Sequence, residues 1–211
     1  DPDNMARIKM IVPELLGNEN ETGWALPCLP YGGGENDGFF FIPEEDSNVW
    51  VEFEGGNLSY PIWTGIWWGK DKNKIPSEAN DMDDNHLKIL KTKAGHQIKF
   101  TDKDSPEEES ILIKSNTGHK IALDETGGSE KIEITSTEGH SIIINDADKK
   151  IEIKTSGGNK ITLDDTGQKI TMQDAGSESI EMAPAGITIK SGSKVSIEGM
   201  DISIKSSGMM N

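Results

Sequence analysis

From Ile98 onward the chain repeats one three-residue figure, an aliphatic residue, a middle residue and a second apolar one, with a turn between copies. The copies are Ile98-Lys99-Phe100, Ile111-Leu112-Ile113, Ile121-Ala122-Leu123, Ile132-Glu133-Ile134, Ile142-Ile143-Ile144, Ile151-Glu152-Ile153, Ile161-Thr162-Leu163, Ile170-Thr171-Met172, Ile180-Glu181-Met182, Ile187-Thr188-Ile189, Val195-Ser196-Ile197 and Ile202-Ser203-Ile204. Alternation of period two predicts short strands whose paired apolar residues share one face. A regular array of such strands folds as a solenoid-like rod and not around a globular core. The distance between figures falls from 13 residues (Ile98 to Ile111) to 7 or 8 after Ile180, so the loops shrink and the rod should taper.

The aromatics divide the chain sharply. All five tryptophans, both tyrosines and four of the five phenylalanines lie before residue 86, and only Phe100 lies beyond. Charge divides too: residues 1–86 hold 17 Asp+Glu against 5 Lys+Arg, whereas residues 87–211 hold 20 against 16. The first region offers five short strand candidates, Ile8 to Val12, Trp24 to Leu29, Gly38 to Ile42, Val49 to Phe53 and Pro61 to Trp67, separated by Gly, Pro and Asn clusters. Five short strands in so few residues fit a small closed barrel. The expected organisation is therefore all-β: a barrel at 1–69, a polar linker at 70–86 without periodicity, and the rod at 87–211.

A net charge of −16 argues against a nucleic-acid backbone or an anionic membrane surface as partner. The single cysteine, Cys28, excludes an intrachain disulfide and a thiolate zinc cluster, and a reduced thiol in a core is expected. No run approaches the ~18 apolar residues of a membrane helix. No signal peptide with a basic start and apolar middle opens the chain, so the expected product is soluble when made.

Each figure puts two apolar side chains on one face, so a strand alone buries little. One chain coiling on itself and three chains sharing an axis both satisfy that pattern. The late repeats, with only four or five residues left for each corner and no bulky cap, favour three chains. In that reading the axis is lined by Ile111, Ile113, Ile121, Leu123, Ile132, Ile134, Ile151, Ile153, Ile161, Leu163, Ile187, Ile189, Val195, Ile197, Ile202 and Ile204. Every strand then finds a neighbour from another chain, leaving no exposed edges. At one strand per layer, twelve figures span roughly 55–60 Å.

The first region resembles the oligomer-binding barrel of contractile-tail spike proteins, the phage baseplate assembly protein V and valine-glycine-repeat group. The resemblance rests on the stretches 6–15, 23–31 (Gly23-Trp24-Ala25-Leu26-Pro27-Cys28-Leu29-Pro30-Tyr31), 38–44, Val49-Trp50-Val51-Glu52-Phe53-Glu54-Gly55-Gly56 and 60–67, in order. The Gly-His and Ile-x-Ile repeats that follow are similar to that family's trimeric β-helix, so the resemblance covers almost all of the chain. It implies a homotrimeric central spike: the barrel mounts on a baseplate hub protein, and the β-helical needle meets the target cell envelope transiently when the sheath contracts. It also implies a place in the virion tail baseplate, or an equivalent contractile particle, after synthesis in the bacterial cytoplasm. Trp24, Phe40, Trp50, Phe53, Trp63 and Trp67 are expected in the barrel core or at the hub contact. The chain departs from relatives that carry a muramidase domain between barrel and rod, because the 18 residues from Gly69 to His86 cannot hold one. It departs from those with a hub domain fused ahead of the barrel, and from those with a terminal His-x-His that binds iron. With Met209, Met210 and Asn211 at the tip and no histidine after His140, a separate tip-capping protein is the expected partner.

The same residues admit other chemistry. His96, His119 and His140 could form rings of three around an axis and bind a metal or anion; the alternative, which their Gly-His spacing favours, is a corner residue bonding to backbone. Asp124-Glu125, Asp164-Asp165 and Asp146 with Asp148 read as solvated corners, because paired glycosidase carboxylates need a cleft. An aromatic-rich barrel can bind single-stranded nucleic acid only beside a basic groove, and the first region has five cations. The methionines Met172, Met182, Met200, Met209 and Met210 suit an irregular narrowing interior. No enzyme activity and no cofactor are expected. The other function classes are a trimeric tail fibre that binds or depolymerises glycans, and a secretion spike that carries an effector.

Overall fold

A computed structural model describes residues 1–70, 74–79, 86–102, 109–205 and 208. The chain divides into two units, Asp1–Asp81 and Met82–Asn211. It is nearly all-β. Helix among the described residues is limited to one turn, α1 (Pro13–Leu16), and short 3-10 turns such as Glu54–Gly56 and Ser77–Ala79.

The first unit is organised by β1 (Leu26–Pro27), β2 (Asn48–Phe53) and β3 (Pro61–Trp67), in the order β1-β3-β2. β1 runs parallel to β3, and β2 antiparallel to it with an irregularity between Trp50 and Val51. Ile8 and Ile11, from the first expected strand, join through single bridges to Ala25 and Glu21. Pro13 then ends that pairing, since it has no N–H to give and opens α1. The expected strand Gly38 to Ile42 is reduced to one bridge between Gly38 and Gly32. Phe39, Phe40 and Phe41 carry no polar alternation, so no single sheet face can bury them, and all three are exposed.

The core of this unit is small: Met10, Ala25 and Trp63, flanked by Ile8, Val12, Leu29, Val49 and Val51. The Trp63 indole N–H donates to the Ala6 carbonyl at 3.1 Å, which satisfies the one polar atom that this burial would orphan. Thr22 closes the adjacent ladder, its hydroxyl accepting from the Met10 amide at 3.1 Å. Cys28 corrects one expectation. It lies on the surface and not in a core, because its neighbour Pro27, two residues from buried Ala25, takes the inward position on β1.

The second unit is one antiparallel meander of eleven strands. They are β4 (Leu87–Lys91), β5 (Gln97–Thr101), β6 (Ser110–Lys114), β7 (Lys120–Asp124), β8 (Lys131–Thr135), β9 (Ser141–Asn145), β10 (Lys150–Lys154), β11 (Lys160–Asp164), β12 (Lys169–Gln173), β13 (Ser179–Ala183) and β14 (Gly186–Lys190). Each is five residues long, and β5 to β13 each pair with the strands before and after them in the sequence, with β4 and β14 at the two ends. The expectation that every strand pairs with another chain is corrected here: between Leu87 and Lys190 the sheet hydrogen bonds are made within one chain. The reason is loop length, because connections of a few residues return each strand antiparallel beside its predecessor at little entropic cost. Eleven strands one layer apart span about 50 Å.

The two edges of the meander differ. Along one edge every connection has five residues, at 92–96, 115–119, 136–140, 155–159 and 174–178; along the other the connections shorten from eight residues to six, four, four and two. The taper read from the sequence is thus confined to one edge. β4 is an additional strand whose register places Lys88 opposite Phe100 and Leu90 opposite Ile98. The last two figures, Val195 to Ile197 and Ile202 to Ile204, belong to no strand within the chain.

Candidate functional site: an apolar face without an in-chain partner

The register of the meander aligns the figures into two unbroken columns. One runs Ile98, Ile113, Ile121, Ile134, Ile142, Ile153, Ile161, Met172, Ile180, Ile189, beside the five-residue turns. The other runs Phe100, Ile111, Leu123, Ile132, Ile144, Ile151, Leu163, Ile170, Met182, Ile187. No bulge interrupts either. From Ile98 to Met182 every column residue except Leu123 and Ile161 is 37–47% exposed, and Ile187 reaches 70%. A contiguous aliphatic face of this length is far larger than the apolar patches a monomer ordinarily leaves in water.

The opposite face is mixed: its half-buried middle residues include Lys99, Glu133, Glu152, Thr162 and Glu181 together with the apolar Leu112, Ala122 and Ile143. Lysine stems lie along it and reach carboxylates on the neighbouring strand: Lys120 to Glu133 at 3.1 Å, Lys160 to Glu152 at 3.4 Å and Lys169 to Glu181 at 3.5 Å. The Thr135 hydroxyl donates to Glu133 at 2.7 Å. That bond and the Lys120 ammonium hold the Glu133 carboxyl below the usual carboxylate range. Asp124 is lowered in the same way, first by Thr126 and then by Lys131. One face of the sheet is therefore finished by its own chain, and the other is not.

The five-residue turns are built alike. Thr92, Ser115, Ser136 and Thr155 each accept the amide of the residue four positions on with the side-chain oxygen, and donate their own amide to its carbonyl. Gly95, Gly118, Gly139 and Gly158 take φ of 96°, 106°, 89° and 96°, a region closed to most side chains. His96, His119 and His140 therefore lie at corners on the sheet edge. No group of three or more His, Cys, Asp or Glu side chains placed to hold a metal occurs among the described residues. The sequence reading found the Gly-His pair but not the Ser/Thr four residues before the histidine, although Ser/Thr-x-x-Gly-His stands in the repeats as a signal.

In the first unit Trp63 is 4% exposed and Phe53 is half-buried, whereas Trp24, Phe40, Trp50 and Trp67 are on the surface of the single chain. Core placement for those four is corrected. Met10 and Ala25 fill the space instead, and the rings pair outside it, Trp50 with Trp67 at 6.0 Å and Phe39 with Phe41 at 5.7 Å. Trp24 lies under two cations, Lys9 at 5.2 Å and Arg7 at 5.8 Å from the ring centre. Met209, Met210 and Asn211 lie outside the described residues.

Two family comparisons bear on this face. Residues 1–68 match the type VI secretion system/phage-baseplate injector OB domain. Residues 150–210 match the phage baseplate V C-terminal trimerisation domain. The chain belongs to the phage baseplate V spike family. No curated protein sequence matches it. The trimerisation match begins at Lys150, the first residue of β10, and includes the lower columns together with the two unpaired figures. This baseplate spike protein is a homotrimer. No helix among the described residues is long and apolar enough to cross a membrane.

Proposed function

We propose that the trimer is the central spike of a contractile tail or equivalent injection machine, and that it pierces the target envelope when the sheath contracts. Its work is mechanical. The observation that carries this reading is the pair of in-register aliphatic columns backed by an ion-paired face, since three such sheets closed around one axis give a stiff prism with a dry centre. In this proposal residues 1–69 form the barrel that seats on the baseplate hub, 70–86 the joint, and 87–211 the shaft, which leads toward the target. Trp63 and Phe53 belong to the barrel core, Trp24, Phe40, Trp50 and Trp67 to the hub contact, and the aliphatics from Ile111 to Ile204 to the axis. Val195 to Ile204 pair between chains, which makes this terminal stretch the intertwined part of the needle, and a tip-capping protein covers Met209, Met210 and Asn211.

Two measurements test it. Particles assembled with Ile151→Asp spike should lack the spike or fail to kill or infect while their sheath still contracts. Labelled antibody against the shaft should mark the baseplate end of intact particles. Full infectivity with the variant incorporated, or label elsewhere on the particle, contradicts the reading.

A further inference from the structure

The three corner histidines do more than turn the chain. His96 accepts the backbone N–H of Asn116 on Nδ1 at 3.4 Å, His119 that of Thr137 at 3.2 Å and His140 that of Ser156 at 3.2 Å. Each acceptor therefore reaches the next turn along the same edge, two strands further on. The glycine before each histidine packs on the same residue: a Cβ on Gly95, Gly118 or Gly139 would lie 3.6, 3.9 or 3.8 Å from Asn116, Thr137 or Ser156. In the fourth turn Asn159 does the same job, its Oδ1 accepting the Ala175 N–H at 3.2 Å. The edge is thus laced turn to turn by four equivalent bonds, three to an imidazole and one to an amide.

An imidazole accepts on Nδ1 only while that nitrogen is bare and the proton sits on Nε2. A second proton on the ring occupies Nδ1 and turns the acceptor into a donor facing another donor. An asparagine oxygen has no such transition. Lys91 and Lys93 flank the His96 turn, Lys114 and Lys120 the His119 turn, and Lys154 and Lys160 the turn that His140 binds; Glu138 is the only carboxylate in these four turns. Lys120 and Lys160 also reach Glu133 and Glu152 on the neighbouring strands, so the charge beside these turns is partly offset. The fifth turn, by contrast, carries Asp174 and Glu178.

We propose that His96, His119 and His140 form an acid-released latch along the five-residue edge of the shaft, which unlaces the turns from Gly95 to Ser156 and leaves the Asn159–Ala175 link closed. The latch is made within one chain and acts on the stiffness of the shaft whatever machine the trimer serves.

Amide hydrogen exchange on the full-length trimer tests this, with protection factors corrected for intrinsic rates at about pH 7.5 and about pH 5.5, either side of the imidazole transition. Protection at Thr137 and Ser156 should fall about threefold to tenfold in acid, the range one net hydrogen bond commands. Asn116, with the longest bond, should fall least of the three, and Ala175 should change by less than about twofold. In the double variant His119→Asn with His140→Asn, the Thr137 and Ser156 amides should become as insensitive as Ala175. Unchanged protection at Thr137 and Ser156 in the native protein would overturn the latch. So would nitrogen NMR showing the neutral rings protonated on Nδ1, or asparagine variants as acid-sensitive as the native chain. The native measurement decides alone if the variants fail to assemble.

Discussion

The two units of this spike protein solve the problem of burying apolar surface in opposite ways. Among the described residues, all the buried hydrophobic side chains, Ala6, Met10, Ala25 and Trp63, lie in the first unit, and the second has none. The first unit closes a small core with a tryptophan whose N–H is satisfied inside it. The second has longer and more regular β-structure but leaves its aliphatic columns on one open face and carries its ion pairs on the other. Regular secondary structure and a finished core are therefore separate achievements. A chain can specify strands, register and turns completely and still leave the hydrophobic free energy to be collected by assembly. Full burial of an aliphatic side chain is worth about 1.5–3 kcal/mol, and the columns have realised roughly half of it in one chain.

The contrast can be broken from either side. All five tryptophans lie in the first unit, so indole fluorescence follows that unit while molecular mass follows the shaft. The largest effect is expected from Ile151→Asp or Ile161→Asp, which on the proposed axial placement sets three carboxylates at one level of an apolar axis at a cost of several kcal/mol. Sedimentation should show loss of the trimer, with native fluorescence retained. Trp63→Ala comes next, and should cost the first unit about 3–5 kcal/mol. Here the fluorescence transition should move to lower denaturant and the mass stay trimeric, the reverse of the first pattern.

Acid sharpens the comparison further. Because Thr135 and Lys120 lower the folded-state carboxyl of Glu133, its contribution is present above the ordinary carboxylate range and disappears as pH falls through the lowered value. Glu133→Gln should therefore destabilise the shaft near neutrality by about 1 kcal/mol per chain. It should also flatten the acid end of the pH–stability profile. Glu178 has the opposite sign, since the neighbouring carboxylate of Asp174 raises it. Its contribution is full at low pH and is lost as pH rises through the raised value. Glu178→Gln should give a small gain at neutral pH, read as a higher melting temperature, and no gain in acid.

Much of the shaft was legible because period-two alternation is a local property: Ile151-Glu152-Ile153 needs no knowledge of its neighbours to be read as a strand with one apolar face. Which strand lies beside it is not local. That depended on connections such as 146–149, short enough to enforce a hairpin, and the in-chain meander replaced the expected pairing between chains for that reason. β4 was missed because its register places Leu87 and Ile89 on the face opposite the columns, so its pattern is out of phase with the repeat. In the first unit aromatic content was a poor guide to burial. Trp50 stands between Val49 and Val51, both of which pack on the core, so the period-two alternation of β2 turns the larger ring to the surface. The histidines were identified as corner residues from Gly-His alone, but their bonds to the next turn join residues sixteen to twenty positions apart and left no mark in any single repeat.

The claim on which the account rests is that the aliphatic columns are covered only by other copies of the chain. Sedimentation equilibrium of the purified full-length protein measures this directly. The account predicts a single species at three times the 23.0 kDa chain mass, unchanged on dilution. A stable, soluble species at 23.0 kDa with intact β-structure would contradict it.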